Sequence, residues 1–178
     1  MNTKHEFVKE IMRILYPGLA RACLDVMENI PYDFWEIPAF PIGKNHPVYD
    51  LNKGGLVRHS IMVANIADIL IVSGAFVEDT LLNHAIARVA GLFHDVLKYN
   101  ISDAEGNYLS ANWVMNNMRE KVDTKLLIEI CDVIRCHASG WNLSEYSDEE
   151  LPILPSSPMG KLVHTAHFVA SSKWVNGL

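Results

Sequence analysis

A chain of 178 residues with 49% apolar and 20% charged residues is long enough to bury about 70% of the surface its unfolded form exposes, as one domain (residues 1–178) that needs no disulfide or metal to fold. Its net charge of −6 argues against broad, sequence-blind binding to nucleic acid or to an anionic membrane, and leaves room for a small basic pocket. Three cysteines, Cys23, Cys131 and Cys136, make no CxxC pair, so they indicate neither a disulfide framework nor a zinc ribbon and fit a reducing cytosol.

Met1 to Arg13 intersperses Lys4, Glu6, Lys9, Glu10 and Arg13 among its apolar residues and lacks the apolar centre of a signal peptide. Phe7, Ile11, Ile14 and Leu15 recur at helical spacing. Pro17 ends that run and opens a second helix carrying Leu19, Cys23, Val26 and Met27, which should stop near Pro31. From Tyr32 to Gly55 no period is sustained, with Pro38, Pro41, Gly43 and Pro47 among Phe34, Trp35 and Phe40; loops of this length are often functional. After Gly54-Gly55 a strong helix holds Leu56, Val57, Ile61, Met62, Val63, Ile66, Ile69 and Leu70. The most apolar window, Ile61 to Val77, is short for a membrane span and contains Asn65 and Asp68, so no span is expected.

Thr80 or Asp79 caps the next helix, which reads through Leu81, Ile86, Val89 and Phe93 to Lys98 and ends near a turn at Ser102 to Asn107. Ser110 reads as the N-cap of a short, mostly polar, peripheral helix containing Trp113, Val114 and Met118. A helix from about Asp123 to Ala138 follows, with Leu126, Leu127, Ile130, Cys131 and Ile134 on its apolar face. Trp141 to Pro158 is a second irregular loop, and the last helix starts at Pro158 and runs through Leu162, Val163, Ala166, Val169 and Trp174. With no strand and no internal repeat, the expected fold is an all-α, compact multi-helix bundle.

The chemistry concentrates in Val89 to Asn100, VAGLFHDVLKYN, where an apolar run delivers an adjacent His94-Asp95 pair and then Lys98. Burying an imidazole beside a carboxylate is costly unless something satisfies both. Adjacent side chains on a helix diverge by about 100°, which makes mutual satisfaction awkward. Other predicted helices carry His59, His137, and His164 with His167. Several imidazoles and a carboxylate on separate core helices resemble the way bundles build metal sites. His84 is excluded from sharing a metal with Asp95, since eleven residues of helix separate them by about 16 Å. His5 has a plain surface reading.

The order GGLVRHS, LFHDVLKY, a His near a helix end, then LVHTAHFVASS resembles the HD-domain superfamily of metal-dependent phosphohydrolases, over roughly Gly54 to Ser172. The resemblance implies an all-α HD-domain bundle and a divalent metal held by His59, His94 and Asp95, with Lys98 as the lysine that often follows the pair. Where the family has a final Asp, this chain has His167, which moves that ligand to an imidazole. One carboxylate instead of two disfavours magnesium and favours manganese, nickel, cobalt, iron or zinc; a second metal is compatible with the site. His46 ahead of GGLVRHS is similar to the branch in bacterial exoribonucleases and relaxase-associated proteins, which would set it at the pocket mouth.

On this resemblance the expected activity is hydrolysis of a nucleotide or nucleic-acid phosphoester by metal-activated water. Asp95 would ligate and orient that water, and Lys98, Arg58, His137 and His46 are the candidates to meet the phosphoryl group. His164 would act from behind the ligands. The partner expected is a phosphorylated small molecule or a short nucleic acid; Phe34, Trp35 and Trp141 could stack a base, although most aromatics in a small helical domain are core. Two alternatives stand beside this: a binding or regulatory protein with a degenerate site, favoured by His167 and by Leu97 where many relatives have glycine, and a di-iron oxygenase, for which only His137 offers an extra ligand.

Overall fold

The computed structural model describes residues 3–39, 47–98, 103–138 and 154–172. Among these, every regular element is helical: α1 Thr3–Met12, α2 Pro17–Val26, α3 Tyr32–Glu36, α4 Gly55–Val72, α5 Leu81–Phe93, α6 Asp103–Met118, α7 Thr124–Cys136 and α8 Pro158–Ser171, with 3-10 turns at Met27–Asn29 and Val48–Asp50. The all-α expectation therefore holds. Helix starts follow local chemistry. Pro17 and Pro158 occupy first-turn positions, where a missing N–H costs nothing, and Thr80, Asp123 and Ser157 accept hydrogen bonds from the opening N–H groups of α5, α7 and α8.

The helix α4 is the central one, packed against α5 and α8, while α7 joins α5, α6 and α8. By length and composition α4 is apolar enough to cross a membrane, but 61% of it is buried inside this fold, where it serves as the core helix. The α4–α5 approach depends on Gly91: a Cβ there would come within 2.8 Å of the Ala64 backbone. Far from the site, buried Arg88 of α5 pairs with Glu10 of α1 at 2.6 Å and with Asp68 of α4, tying three helices together. His84 bridges Asp68 and Asp79 at 2.9 and 3.0 Å in the same network, which accounts for it structurally.

Four differences from the sequence reading have physical causes. First, α5 ends at Phe93 instead of Lys98: the Gly91 carbonyl accepts from the His94 imidazole, and residues 94–97 continue as turns in which Val96 N–H donates to Phe93 O and Lys98 N–H to Asp95 O. Second, α6 begins at Asp103 and runs through the expected turn. Third, α6 is not peripheral: Ala111, Val114 and Met118 are buried, and Ser110 is an interior residue whose hydroxyl accepts from the Leu97 N–H, fastening the turn after the His-Asp pair. Fourth, Phe34 and Trp35 are core residues, packed edge-on against Phe7, whose ring also meets Phe93 at 5.6 Å; they offer no face for a base. His46 and Trp141 lie outside the described residues.

Candidate metal centre

The site forms where helix ends and helix middles meet. His59 comes from the second turn of α4, His94 and Asp95 from the turn capping α5, His137 from the C-terminal cap of α7, and His167 from α8. All five are buried. One donor atom from each of His59, His94, Asp95 and His167 lies within 4.8 Å of every other. His137 joins them, its ring centroid 4.4 Å from that of His94 and 4.7 Å from that of His167. The four residues implied as ligands are thus brought together, and His137, a candidate for the phosphoryl group, lies against them.

Hydrogen bonding fixes which nitrogen is available. A carbonyl oxygen can only accept, so the 2.8 Å contact of His94 Nδ1 with Gly91 O and the 2.7 Å contact of His137 Nδ1 with Ile134 O assign the proton to Nδ1 in both rings. In a neutral ring Nε2 then carries a lone pair. His94 Nε2 faces Asp95 Oδ2 at 3.1 Å, and His137 Nε2 faces Asp95 Oδ1 at 3.6 Å. Lone pairs converging on a carboxylate call for a proton or a cation between them. Among the described residues neither Nε2 atom, and neither nitrogen of His167, has a hydrogen-bond partner. Buried orphan acceptors are costly, and a divalent cation would satisfy His94 Nε2 together with one nitrogen of His167, whose other nitrogen carries the ring proton. Imidazole nitrogens with one carboxylate are a donor set for a transition metal, so the residues fit the metal that the resemblance implies.

The expected divergence of His94 and Asp95 does not occur. The regular helix ends at Phe93, His94 caps it with helical backbone angles, and the ends of the two side chains still meet, with His94 Nε2 3.1 Å from Asp95 Oδ2. Electrostatics follow from the crowding. Burial alone would raise the Asp95 carboxyl, but His94, Lys98 and His137 outweigh it and hold the group well below the usual carboxylate range. Burial, reinforced by neighbouring His94, lowers His137; burial, then His137, His59, His94 and Lys98, hold His167 well below an ordinary histidine. Both stay neutral, as metal ligation requires.

The remaining candidates divide. Lys98 Nζ lies 3.0 Å from Asp95 Oδ2 and is mostly buried, at the edge of the centre. The half-buried His164 places Nδ1 2.9 Å from the His137 carbonyl, so it braces the backbone that presents His137. The guanidinium of Arg58 is directed elsewhere, donating to the carbonyls of Tyr49, Asn52 and Lys53 and clamping the segment that enters α4.

Asp50 escaped the sequence reading. It lies in the 3-10 turn before Gly54-Gly55, fully buried, with Oδ2 3.6 Å from His59 Nδ1. Burial pushes its carboxyl up to about 7, against the pull of Arg58. The available signal was steric. Gly54 has φ 71°, a left-handed conformation, and a Cβ on Gly55 would sit 1.8 Å from the Asp50 carbonyl oxygen. The double glycine therefore marks the place where the Asp50 backbone lies against the start of α4.

Searches of curated proteins and of solved structures returned no match to this chain. A family model described as HD domain matches residues 56–166, well over half of the chain, and spans His59, the His94-Asp95 pair and His137. The match supports the superfamily and not the exoribonuclease or relaxase-associated branch suggested by His46. With its all-α architecture and its buried His-Asp centre, the chain belongs to the HD domain family.

Proposed function

We propose that the protein is a metal-dependent phosphohydrolase acting on a nucleotide or nucleic-acid phosphoester in the cytosol. The observation that carries this reading is the convergence, from four helices and their caps, of imidazoles and one carboxylate whose lone pairs meet in a buried space. His59, His94, Asp95 and His167 would hold a divalent transition metal, which supplies Lewis acidity and an activated water at neutral pH.

The chain's own residues do the rest. Asp95, held well below the usual carboxylate range with the Lys98 ammonium 3.0 Å from its Oδ2, would orient the nucleophile. Lys98 is the cation at the rim, and a phosphoryl oxygen arriving beside Asp95 exchanges one anionic partner of its ammonium for another. His137 is neutral beside Asp95, with its Nδ1–H fixed on Ile134 O, so its Nε2 is available as a proton acceptor or as a further ligand. The three cysteines are free and buried, consistent with the reducing compartment named above.

Elemental analysis of protein purified without chelator or affinity tag, beside Asp95→Ala, tests the proposal. About one transition metal per chain, lost in the variant, followed by turnover of nucleotide monoesters, cyclic nucleotides or short oligonucleotides, is the expected result. Absence of metal after soaking with manganese, nickel and zinc would overturn it. Metal without turnover of any phosphoester would favour the binding or regulatory reading, and two irons per chain the oxygenase.

A further inference from the structure

Asp50 lies behind the metal centre and is held there by several independent devices. Its N–H donates to Pro47 O at 3.0 Å, and its carbonyl accepts from Ala39 N–H at 3.0 Å. That carbonyl fills the space where any Gly55 side chain would go, and Arg58 grips the preceding residue through Tyr49 O at 2.8 Å. The result is a buried carboxylate facing His59 Nδ1.

Two neighbouring histidines show what a group in that position does. In His94 and His137 the Nδ1 atom is engaged by a carbonyl, which fixes the tautomer and turns Nε2 inward. His59, from the second turn of α4, has the Asp50 carboxylate on its Nδ1 side. Charge adds a second reason. Asp95 is the one carboxylate in the ligand set, because His167 is an imidazole. A divalent cation there keeps an excess of one positive charge, and Asp50 is the nearby buried carboxyl group, which that excess would favour in its ionised form.

We propose that Asp50 is a positioning residue of the metal centre: its carboxylate, 3.6 Å from His59 Nδ1, closes on that nitrogen and accepts its N–H when metal is bound, holds Nε2 toward the metal, and supplies through the imidazole the second negative charge that His167 does not. The inference rests on the metal-centre reading. Carboxylate–histidine–metal arrangements of this kind raise ligand basicity, and loss of such a partner weakens metal binding about 10–100-fold.

The test is a titration of metal-free wild type and Asp50→Asn with cobalt(II) and with zinc against a chromophoric chelator, urea denaturation confirming that both are folded. Asn keeps the shape and removes the charge. Weakening by about 10–100-fold, with a changed cobalt absorption spectrum, is expected. An affinity within about twofold of wild type overturns the inference alone. Wild type that takes up no metal overturns the metal centre and the inference with it. A readout on wild type decides the matter even where Asp50→Asn does not fold. In nitrogen-15 spectra of the zinc-loaded protein, His59 should carry its proton on Nδ1, shifted downfield and slow to exchange; a His59 metallated through Nδ1 overturns the proposal.

Discussion

Gly55→Ala should cost the protein more than any ordinary helix substitution, although alanine is the better helix former. The new Cβ would lie 1.8 Å from Asp50 O, 2.7 Å from Asp50 C and 2.9 Å from Ala39 N. All three are backbone atoms, so no side chain can swing aside. Ordinary contact begins near 3.4 Å. The 3-10 turn must therefore retreat, which strains or breaks the Ala39 N–H to Asp50 O bond. Overpacking of this kind costs about 1–3 kcal/mol and a lost hydrogen bond about 1 kcal/mol, against a helix-propensity gain of less than about 1 kcal/mol. The net expectation is a loss of about 1–3 kcal/mol in urea denaturation of the metal-free protein. Gly18→Ala in the first turn of α2 is the control, since a Cβ there meets nothing within 4 Å; it should be neutral or slightly stabilising. Equal stability of the two variants would refute the packing argument. Because the retreat carries Asp50 away from His59, Gly55→Ala should also weaken zinc binding in the same direction as Asp50→Asn.

Stability of the metal-free protein should fall as pH drops below the ordinary histidine range. His137 is lowered and His167 held well below its usual value, so the native state binds fewer protons than the unfolded chain, whose histidines titrate near 6.5. Their contribution is complete above about pH 6.5 and is lost on acidification, by up to about 1.4 kcal/mol per pH unit for each. Asp50, raised to about 7, has the opposite sign and offsets part of this loss as it takes up a proton. Urea titrations with chelator at pH 7.5 and 5.5 should show a net loss at the lower pH, as expected for two groups against one; a pH-independent or rising stability would contradict the neutral-histidine assignment. Separately, His167→Asp returns a second carboxylate to the ligand set and should shift the metal preference toward magnesium and manganese, read by competition between magnesium and zinc. An unchanged preference would show that His167 does not contribute to the first coordination sphere.

What could be read from the sequence was whatever rests on local periodicity and caps. Pro17, Thr80, Asp123, Ser157 and Pro158 act at helix starts as their chemistry dictates, and the ordered motifs brought His59, His94, Asp95 and His167 into one set. The errors arose where tertiary contacts override local pattern. Phe34 and Trp35 look like loop aromatics in a segment without period, yet they pack on Phe7 from a distant helix. Ser110 reads as a cap until α6 is extended to Asp103 and its hydroxyl meets Leu97. Asp50 had no periodic signature at all, because its position depends on the close approach of two backbones.

The early ending of α5 explains how a helical bundle can favour a cation with so few carboxylates. The last carbonyls of a helix lack intrahelical donors, and the C-terminal end carries about half a negative charge. His94 caps α5 and His137 caps α7, and each donates Nδ1–H to the carbonyl three residues earlier. The orphan carbonyl is satisfied, the ring is locked, and the free Nε2 of each turns inward toward Asp95, with two negative helix ends behind the histidines. Gly91 serves the same arrangement twice, by letting α5 lie against Ala64 and by offering its carbonyl to His94. Continuing α5 to Lys98, as its apolar pattern suggests, would engage that carbonyl within the helix and release His94 Nδ1. The end of the regular helix therefore leaves the Gly91 carbonyl to His94 Nδ1 and sets His94 Nε2 against Asp95, an arrangement suited to a shared ion.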